Sequence, residues 1–365
     1  GRFVCPAQNL VVVHRDGGLM HTILGRLPAR RRGDGRLPAP AWDPSYGWDG
    51  LQPADAAFVV RDPADGLIVT ANNDVRPPGW AAAISADFDT PFRADRIRQR
   101  LEGDSGWTAQ SLGRIQNDVV DLYARELLSL LGEPEVAGDA ASALAALRAW
   151  DGSRRLIGPG ALFQRFEREL AELLFRDAEA RAGVPAFSFF FRRPQLLRAL
   201  RGELDDAWWD DLGTEQVEDR DASIGLALSR AWRAVAAAGP PGQGDFGAAH
   251  ALRLDHAVGS APLIGRWFNR GPFPLPGSAT TVAAFGGSWK GDRIEVSYGP
   301  SLRFVADPAD WDRSLIVLPG GQGGHPADLH YDDQMPLYLE GRLRPMPWTE
   351  AAVLADTRSR FLLEP

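Results

Sequence analysis

Apolar side chains recur at helical intervals through the middle of the chain. Between residues 112 and 131 they include Ile115, Val119, Leu122, Leu127 and Leu130, which would line one face of a single helix. The same spacing predicts further helices at 95–101, 140–150, 161–182 and 223–238.

Short β-type runs flank this helical region on both sides. Within residues 8–24 two such runs surround Asp16-Gly17, a strong hairpin signal. Runs at 58–60 and 67–70 predict a second hairpin, whereas 26–53, rich in Gly, Pro, Asp and Trp, predicts a long ordered loop. Four more strands are predicted at 280–285, 293–298, 302–307 and 314–319.

The order of these segments indicates the fold class. A β-rich part at 1–75, a helical part at 93–238 and a β-rich part at 250–345 are typical of a layered α+β fold whose sheets draw strands from both ends of the chain. We therefore expect residues 1–365 to form one domain.

The composition of the chain argues against several classes of binding partner. The 365 residues carry a formal net charge of -8 and no basic tract, which argues against nucleic-acid binding. No apolar run approaches the length of a membrane span, so no membrane partner is expected. Cys5 is the single cysteine, which excludes an internal disulfide and a cysteine-based zinc site.

The run that ends in Asn72-Asn73 allows two interpretations. Asparagine tolerates positive φ and bonds its own backbone, so the pair could simply form a turn. Alternatively, an apolar strand that ends in two carboxamides could deliver them to a site.

Common catalytic and phosphate-binding motifs are absent from the sequence. The glycine-rich stretch 320–324 precedes no helix signal that would cradle a phosphate. His325 and His330, with three nearby aspartates, could suggest a metal site, but their spacing in a proline-interrupted segment favours a solvated, hydrogen-bonded loop.

Several blocks of the sequence resemble one known family. They are IVTANND at 68–74, PFRADRIRQRLE at 91–102, AWDG at 149–152, GPSLRFVADPADWDRSLIVLPGGQGGHPADLHYDDQ at 299–334 and PMPW at 345–348. In this order they resemble the C-terminal part of the β chain of penicillin acylases and acyl-homoserine-lactone acylases, which are N-terminal-nucleophile hydrolases. The resemblance extends from about Gln8 to about Val353.

This resemblance implies a four-layer αββα sandwich, incomplete at its N-terminal side, and cleavage of an acyl group from an amine nucleus such as a β-lactam or a homoserine lactone. The nucleophile would be a serine that self-cleavage exposes at the N-terminus of the β chain, with its own α-amine as base. Asn72 would be an oxyanion donor and Arg96 would support the site. Arg93 and Asp95 are interpreted as ordinary residues of a helix start.

The nucleophile of that family is not matched here. Residue 1 is glycine and the Asn72 segment lies only about seventy residues further on, so we expect the α chain and the first part of the β chain to lie outside this sequence. Cys5 as an exposed N-terminal nucleophile is a weaker alternative, because its place in the family order is wrong. A different class also stays open: a non-catalytic paralogue, or an assembly or binding subunit with the same fold.

The resemblance implies no catalytic cofactor and a small-molecule amide substrate. It also implies a structural calcium held mostly by the missing segments; the matching position falls near Ser85, where only Asp87 or Asp89 could substitute. A periplasmic or extracellular location follows from the family alone. Four aromatic residues could line an acyl pocket or belong to the core: Phe58, Trp80, Phe88 and Phe92.

Overall fold

The computed structural model describes residues 3–53, 57–80, 84–103, 106–183, 189–240, 244–261 and 263–362, without the side chains of 189–191. Its helices, in chain order, are Phe92–Leu101 (α1), Ala109–Ile115 (α2), Leu122–Leu130 (α3), Gly138–Arg148 (α4), Gly160–Ala182 (α5), Phe189–Leu200 (α6), Arg220–Ala236 (α7), Phe246–Ala249 (α8), Gly265–Phe268 (α9), Met335–Leu339 (α10) and Glu350–Asp356 (α11). In this part of the chain, none of the helices combines the length and apolar character that crossing a bilayer requires.

The strands occupy both ends of the sequence. They are Gln8–Val13 (β1), Leu19–Leu24 (β2), Pro28–Arg30 (β3), Trp48–Leu51 (β4), Val59–Arg61 (β5), His250–Leu254 (β6), Arg270–Pro274 (β7), Gly286–Lys290 (β8), Arg293–Tyr298 (β9), Arg303–Val305 (β10), Leu315–Val317 (β11) and Arg344–Pro345 (β12). The sheets have the orders β1-β2-β5, β3-β4, β7-β6-β9-β8 and β10-β11-β12.

The hairpin predicted around Asp16-Gly17 is confirmed, because β1 and β2 pair antiparallel from Gln8–Leu24 to Val13–Leu19. The second predicted hairpin is wrong. Strand β5 pairs with β2 instead, and residues 67–70 lie outside any strand. The predicted loop at 26–53 contains the short antiparallel pair β3-β4.

The helix predicted over 112–131 is two helices, α2 and α3. Asp121 separates them, because its side chain accepts a hydrogen bond from Ala124 N and so caps the start of α3. The strand predicted at 280–285 is also absent. Thr281 Oγ1 accepts from Ser278 N at 2.8 Å and donates to Ala283 O at 2.8 Å, and such local hydroxyl bonds compete with a sheet ladder.

By its internal contacts the chain divides into two compact units. One comprises Gly1–Ala109, Val305–Ser314 and Pro345–Pro365, and the other comprises Gln110–Phe304 and Leu315–Arg344. In the second unit an apolar cluster of eight buried residues underlies the β6–β9 sheet: Leu252, Leu275, Ala283, Phe285, Val296, Val317, Met335 and Tyr338. The assignment of all residues to one domain stays a prediction.

Candidate functional site

The segment that leads to Asn72 is anchored at its start by Asp65. The Asp65 carboxylate accepts from Leu67 N at 3.1 Å and pairs with Arg98 of α1 at 2.7 Å. The Leu67 N–H and, next, the Arg98 guanidinium stabilise the charged carboxylate, which lowers the pKa of Asp65. Asp65 therefore connects the start of the segment 67–70 to α1.

The chain bends at Asn72, where φ is +65°. This left-handed conformation suits asparagine better than most residues. Asn73 braces the bend locally, because its Oδ1 accepts from Ala71 N at 3.0 Å and its Nδ2 donates to Asp74 O at 3.0 Å. The backbone at Asn72 and Asn73 therefore forms the turn that the sequence suggested. The side-chain amide of Asn73 makes its hydrogen bonds within that turn.

The Asn72 side chain makes a different, long-range contact. Its Oδ1 accepts a hydrogen bond from Arg93 Nη2 at 2.9 Å. The same nitrogen also donates to Ala71 O at 2.9 Å and to Asp89 Oδ2 at 2.7 Å. The structure thus brings Asn72 together with the first turn of α1 through Arg93.

This contact defines how the Asn72 amide is oriented. A guanidinium has only donors, so the amide must present its oxygen to Arg93 and its NH₂ group must point the other way. Among the described residues, none accepts a hydrogen bond from Asn72 Nδ2, and the Asn72 side chain is exposed. The site therefore offers an oriented amide donor.

Arg96 lies one turn further along α1. Its Nη1 reaches Gln99 Oε1 of the same helix at 3.4 Å, and the described contacts include no hydrogen bond between Arg96 and Asn72. Arg93 lies in the first turn of α1, as interpreted from the sequence, and it is also the arginine that donates to the Asn72 amide. The role of Arg96 in catalysis stays a prediction.

Two of the aromatic residues near this segment, Phe58 and Trp80, contact each other. Phe58 is buried, at 6% exposure, and makes edge contacts with His21 and Trp80 at centroid distances of 5.1 and 5.5 Å. Arg76 lies over the ring of Phe88, 5.3 Å from its centroid. Phe58 is thus a core residue of its unit. The sequence alone did not show which of the four aromatic residues belong to the core.

The residues near the implied calcium position have other partners. Asp89 accepts from Arg93 Nη2 at 2.7 Å through Oδ2 and from Thr90 N at 2.7 Å through Oδ1. The Asp87 backbone N donates to Ser85 Oγ at 3.0 Å. Since calcium prefers six to eight oxygen ligands and a guanidinium already neutralises Asp89, these residues do not fit a calcium site by themselves.

The loop with His325 and His330 is built from local bonds. His330 Nδ1 lies 2.7 Å from Asp333 Oδ2, His325 Nδ1 accepts from Ala327 N at 3.2 Å, and Asp332 pairs with Arg270. In the described ranges no group of three or more His, Cys, Asp or Glu side chains could hold a metal ion. These contacts agree with the prediction of a hydrogen-bonded loop.

Comparison with known proteins assigns the family. The family model described as penicillin amidase matches residues 1–355, so the chain belongs to the penicillin amidase family, which confirms the resemblance. The sequence is 30% identical, over 89% of this chain and 42% of the relative, to an acyl-homoserine lactone acylase QuiP of Pseudomonas putida. It is also 30% identical, over 97% of this chain and 46% of the relative, to the penicillin acylase 2 proenzyme of Pseudomonas sp. strain SE83.

A solved structure gives the fold. The thermostable penicillin G acylase from Alcaligenes faecalis matches with a TM-score of 0.62 and 18% identity, over 99% of this chain and 68% of that chain. The predicted α+β, N-terminal-nucleophile hydrolase fold is thereby confirmed. This chain spans less than half the length of the two curated relatives.

Proposed function

We propose that this chain is the C-terminal part of an acylase that hydrolyses a linear amide through an N-terminal serine located outside these residues. Family membership supports the hydrolase class. The relatives support a longer protein, because the chain aligns with only 42% and 46% of their lengths. The α chain and the first part of the β chain would supply the nucleophile and the rest of the substrate pocket.

In this proposal the serine Oγ attacks the amide carbon while the serine α-amine takes up the proton. The carbonyl oxygen then becomes an oxyanion, which needs a donor already in place where the charge develops. Asn72 Nδ2 is that donor. The observation that carries the proposal is the amide itself, with Oδ1 held by Arg93 and Nδ2 free to donate among the described residues.

Arg96 would act as a second cation of the site. Its support is the match of the segment ADRI at 94–97 to the family's helix start. A fixed guanidinium there would orient the substrate amide or the N-terminal amine by charged hydrogen bonds.

The relatives support a substrate with an acyl group on an amine nucleus, since one is named for acyl-homoserine lactones and the other for penicillin. A periplasmic or extracellular location is part of the same proposal and rests on the family. The competing function is a non-catalytic paralogue or binding subunit, and no residue contact specifically favours it.

The oxyanion role predicts a loss of turnover when the amide is removed from the complete enzyme. Asn72→Ala should lower kcat by about 10²–10³, as for loss of one oxyanion donor. Asn72→Gly is the sharper variant, because glycine tolerates the φ of +65° while it also removes the donor. Steady-state kinetics with an acyl p-nitroanilide measure the effect, and an unchanged kcat in Asn72→Gly would reject the role.

A further inference from the structure

A cavity of about 540 Å³ is lined by residues of α5, α7, α8 and the turn that joins β8 to β9. All of these lining residues belong to the second unit, which comprises Gln110–Phe304 and Leu315–Arg344. The volume is in the range typical of sites for small organic ligands. Asn72 and its contacts do not line this cavity, so any ligand here would occupy a second site.

The wall of the cavity is mostly apolar. Ala161 of α5, Val235 of α7 and Trp289 of β8 form part of it. Arg168 of α5 lies over the ring of Trp289, 4.4 Å from its centroid, and this cation–π contact holds the indole against α5. The wall therefore favours a ligand with a hydrocarbon or aromatic body.

Two cations, Lys290 and Arg293, border the same cavity. They are direct cross-strand partners at the end of the β8–β9 hairpin, where like charges repel each other. Among the described residues, no hydrogen bond or ion pair engages either side chain. An anion bound between the two would relieve their repulsion.

Contacts with α5 hold the β8–β9 turn in place. Arg168 Nη1 donates to Gly291 O at 2.7 Å, and Arg165 forms an ion pair with Asp292. Gly291 has a φ of +63°, which suits a tight hairpin turn. These contacts keep the two cations beside the cavity.

Both carboxylates of the lining already have partners. Asp292 pairs with Arg165, and Asp245 Oδ1 accepts a hydrogen bond from Ala248 N at 2.8 Å and so caps α8. The charge that lacks a partner in the described lining is therefore positive.

We propose that this cavity binds an amphipathic anion, a carboxylate joined to an apolar body, as in a medium-chain fatty acid. The carboxylate accepts charged hydrogen bonds from Lys290 and Arg293, and the apolar body packs against Trp289 and Val235. Hydrolysis of an acyl amide would release an acid of this class. The inference goes beyond the proposed function and does not depend on it.

Isothermal titration calorimetry of the complete enzyme with octanoate tests this site. Octan-1-ol keeps the chain without the charge, and acetate keeps the charge without the chain. We expect octanoate to bind at least about 10-fold more tightly than either probe, because only octanoate uses both the cations and the apolar wall. Equal binding of octanoate and octan-1-ol would overturn the proposal.

The double variant Lys290→Gln with Arg293→Gln removes both cations. We expect octanoate to bind this site about 10-fold to 100-fold more weakly, the size expected for lost hydrogen bonds to a charged group, and octan-1-ol to bind within about twofold of its original affinity. Arg266→Gln is the control, because Arg266 is an exposed arginine of α9 outside the lining. An equal loss in the control, or no loss in the double variant, would contradict the proposal.

Inhibition kinetics separate this cavity from the catalytic site, which would also bind octanoate if the proposed function holds. We expect the inhibition constant of octanoate for p-nitroanilide hydrolysis to be the same in the unchanged enzyme and in the double variant. A rise equal to that of the calorimetric Kd would assign the two cations to the catalytic site and overturn the proposal. If the enzyme shows no turnover, the proposed function fails, and the calorimetric comparison still tests the cavity.

The shape of the cavity provides a second test. Ala238 of the α7 end lines the cavity, whereas Ala236 is exposed and does not. Ala238→Trp should weaken the binding of octanoate by more than about 10-fold, because the indole would fill the space for the apolar body, and Ala236→Trp should leave it unchanged. Circular dichroism checks that both variants fold, and equal affinities in the two would contradict binding in this cavity.

Discussion

Arg93 occupies a position where a helix normally disfavours a cation. The first turn of a helix carries a partial positive charge, so an arginine there requires compensation, and Asp89 provides it at 2.7 Å. The adverse charge was a signal available in the sequence. The hydrogen bond from Arg93 to Asn72, 21 residues earlier, could not be predicted from the sequence, because no spacing rule connects a bend to a helix across such a segment.

The bend at Asn72 was partly predictable. The pair Asn72-Asn73 predicted a turn from local chemistry, and the positive φ at Asn72 agrees with it. The different contacts of the two side-chain amides were not predictable. Asn73 bonds to neighbouring backbone, whereas Asn72 accepts a hydrogen bond from the first turn of α1.

The buried side chain of His250 predicts how the stability of the folded protein depends on pH. The imidazole is 1% exposed, stacks on Phe246 at a centroid distance of 5.0 Å, and its Nδ1 lies 3.0 Å from Leu275 O. Burial, together with the charge of Arg154, lowers the pKa of His250 from 6.5 to about 4. The unfolded chain therefore binds the proton more readily, and the folded protein loses stability as the pH falls from 6.5 towards 4.

The loss of folding free energy caused by His250 should reach about 3 kcal/mol near pH 4, at 1.36 kcal/mol per pKa unit. It should vanish above pH 6.5. Urea unfolding at several pH values measures it. His250→Gln keeps a polar side chain without the titration, so its stability should change less over the same range. Parallel curves for both proteins would show that His250 does not cause the loss.

Helices were predicted more accurately than strands, for a physical reason. The predictions 161–182 and 223–238 lie within three residues of α5 and α7 at both ends, because one buried stripe per helix produces the spacing. Strands need a partner, and β-type runs at 67–70 and 280–285 have none in a sheet. Strand β6 lies parallel to β9, a pairing that no local pattern shows.

A buried ion pair lies at the start of α3. Asp121, which caps α3, lies 2.9 Å from Arg154, and the two side chains are 0% and 1% exposed. Thr280 Oγ1 donates to the same carboxylate at 2.9 Å. The rings of Phe163, Trp150 and Phe246 surround the guanidinium at 4.6, 5.7 and 5.8 Å. One pair thus connects the start of α3 to the 278–281 turn.

Arg154→Ala should lower the free energy of unfolding by about 3–5 kcal/mol, because it leaves the Asp121 carboxylate buried without a counter-charge. Denaturant unfolding measures the change. Arg233→Ala is the control, since the Arg233–Asp139 pair is 72% and 38% exposed and such pairs contribute about 0–1 kcal/mol. Equal losses in the two variants would contradict the buried-pair explanation.

For the whole molecule, the family resemblance predicted more than the residue patterns did. Segment order alone indicated an α+β class, whereas the matched blocks, the 299–334 block above all, indicated the N-terminal-nucleophile hydrolase fold that the structural match confirms. The division into two units was not predicted. One of them is assembled from three separated ranges, and sequence patterns carry no signal for such long-range assembly.

We predict that residues 1–365 alone are catalytically inactive. In the proposed function they hold the oxyanion donor Asn72 while the nucleophilic serine belongs to another part of the protein, and an oriented donor without a nucleophile cannot form the acyl intermediate. The purified chain should therefore release no p-nitroaniline from phenylacetyl or fatty-acyl p-nitroanilides. The complete enzyme under identical conditions is the positive control. Turnover by the chain would contradict the prediction, and its loss in Cys5→Ala would then identify the exposed Cys5 as the nucleophile.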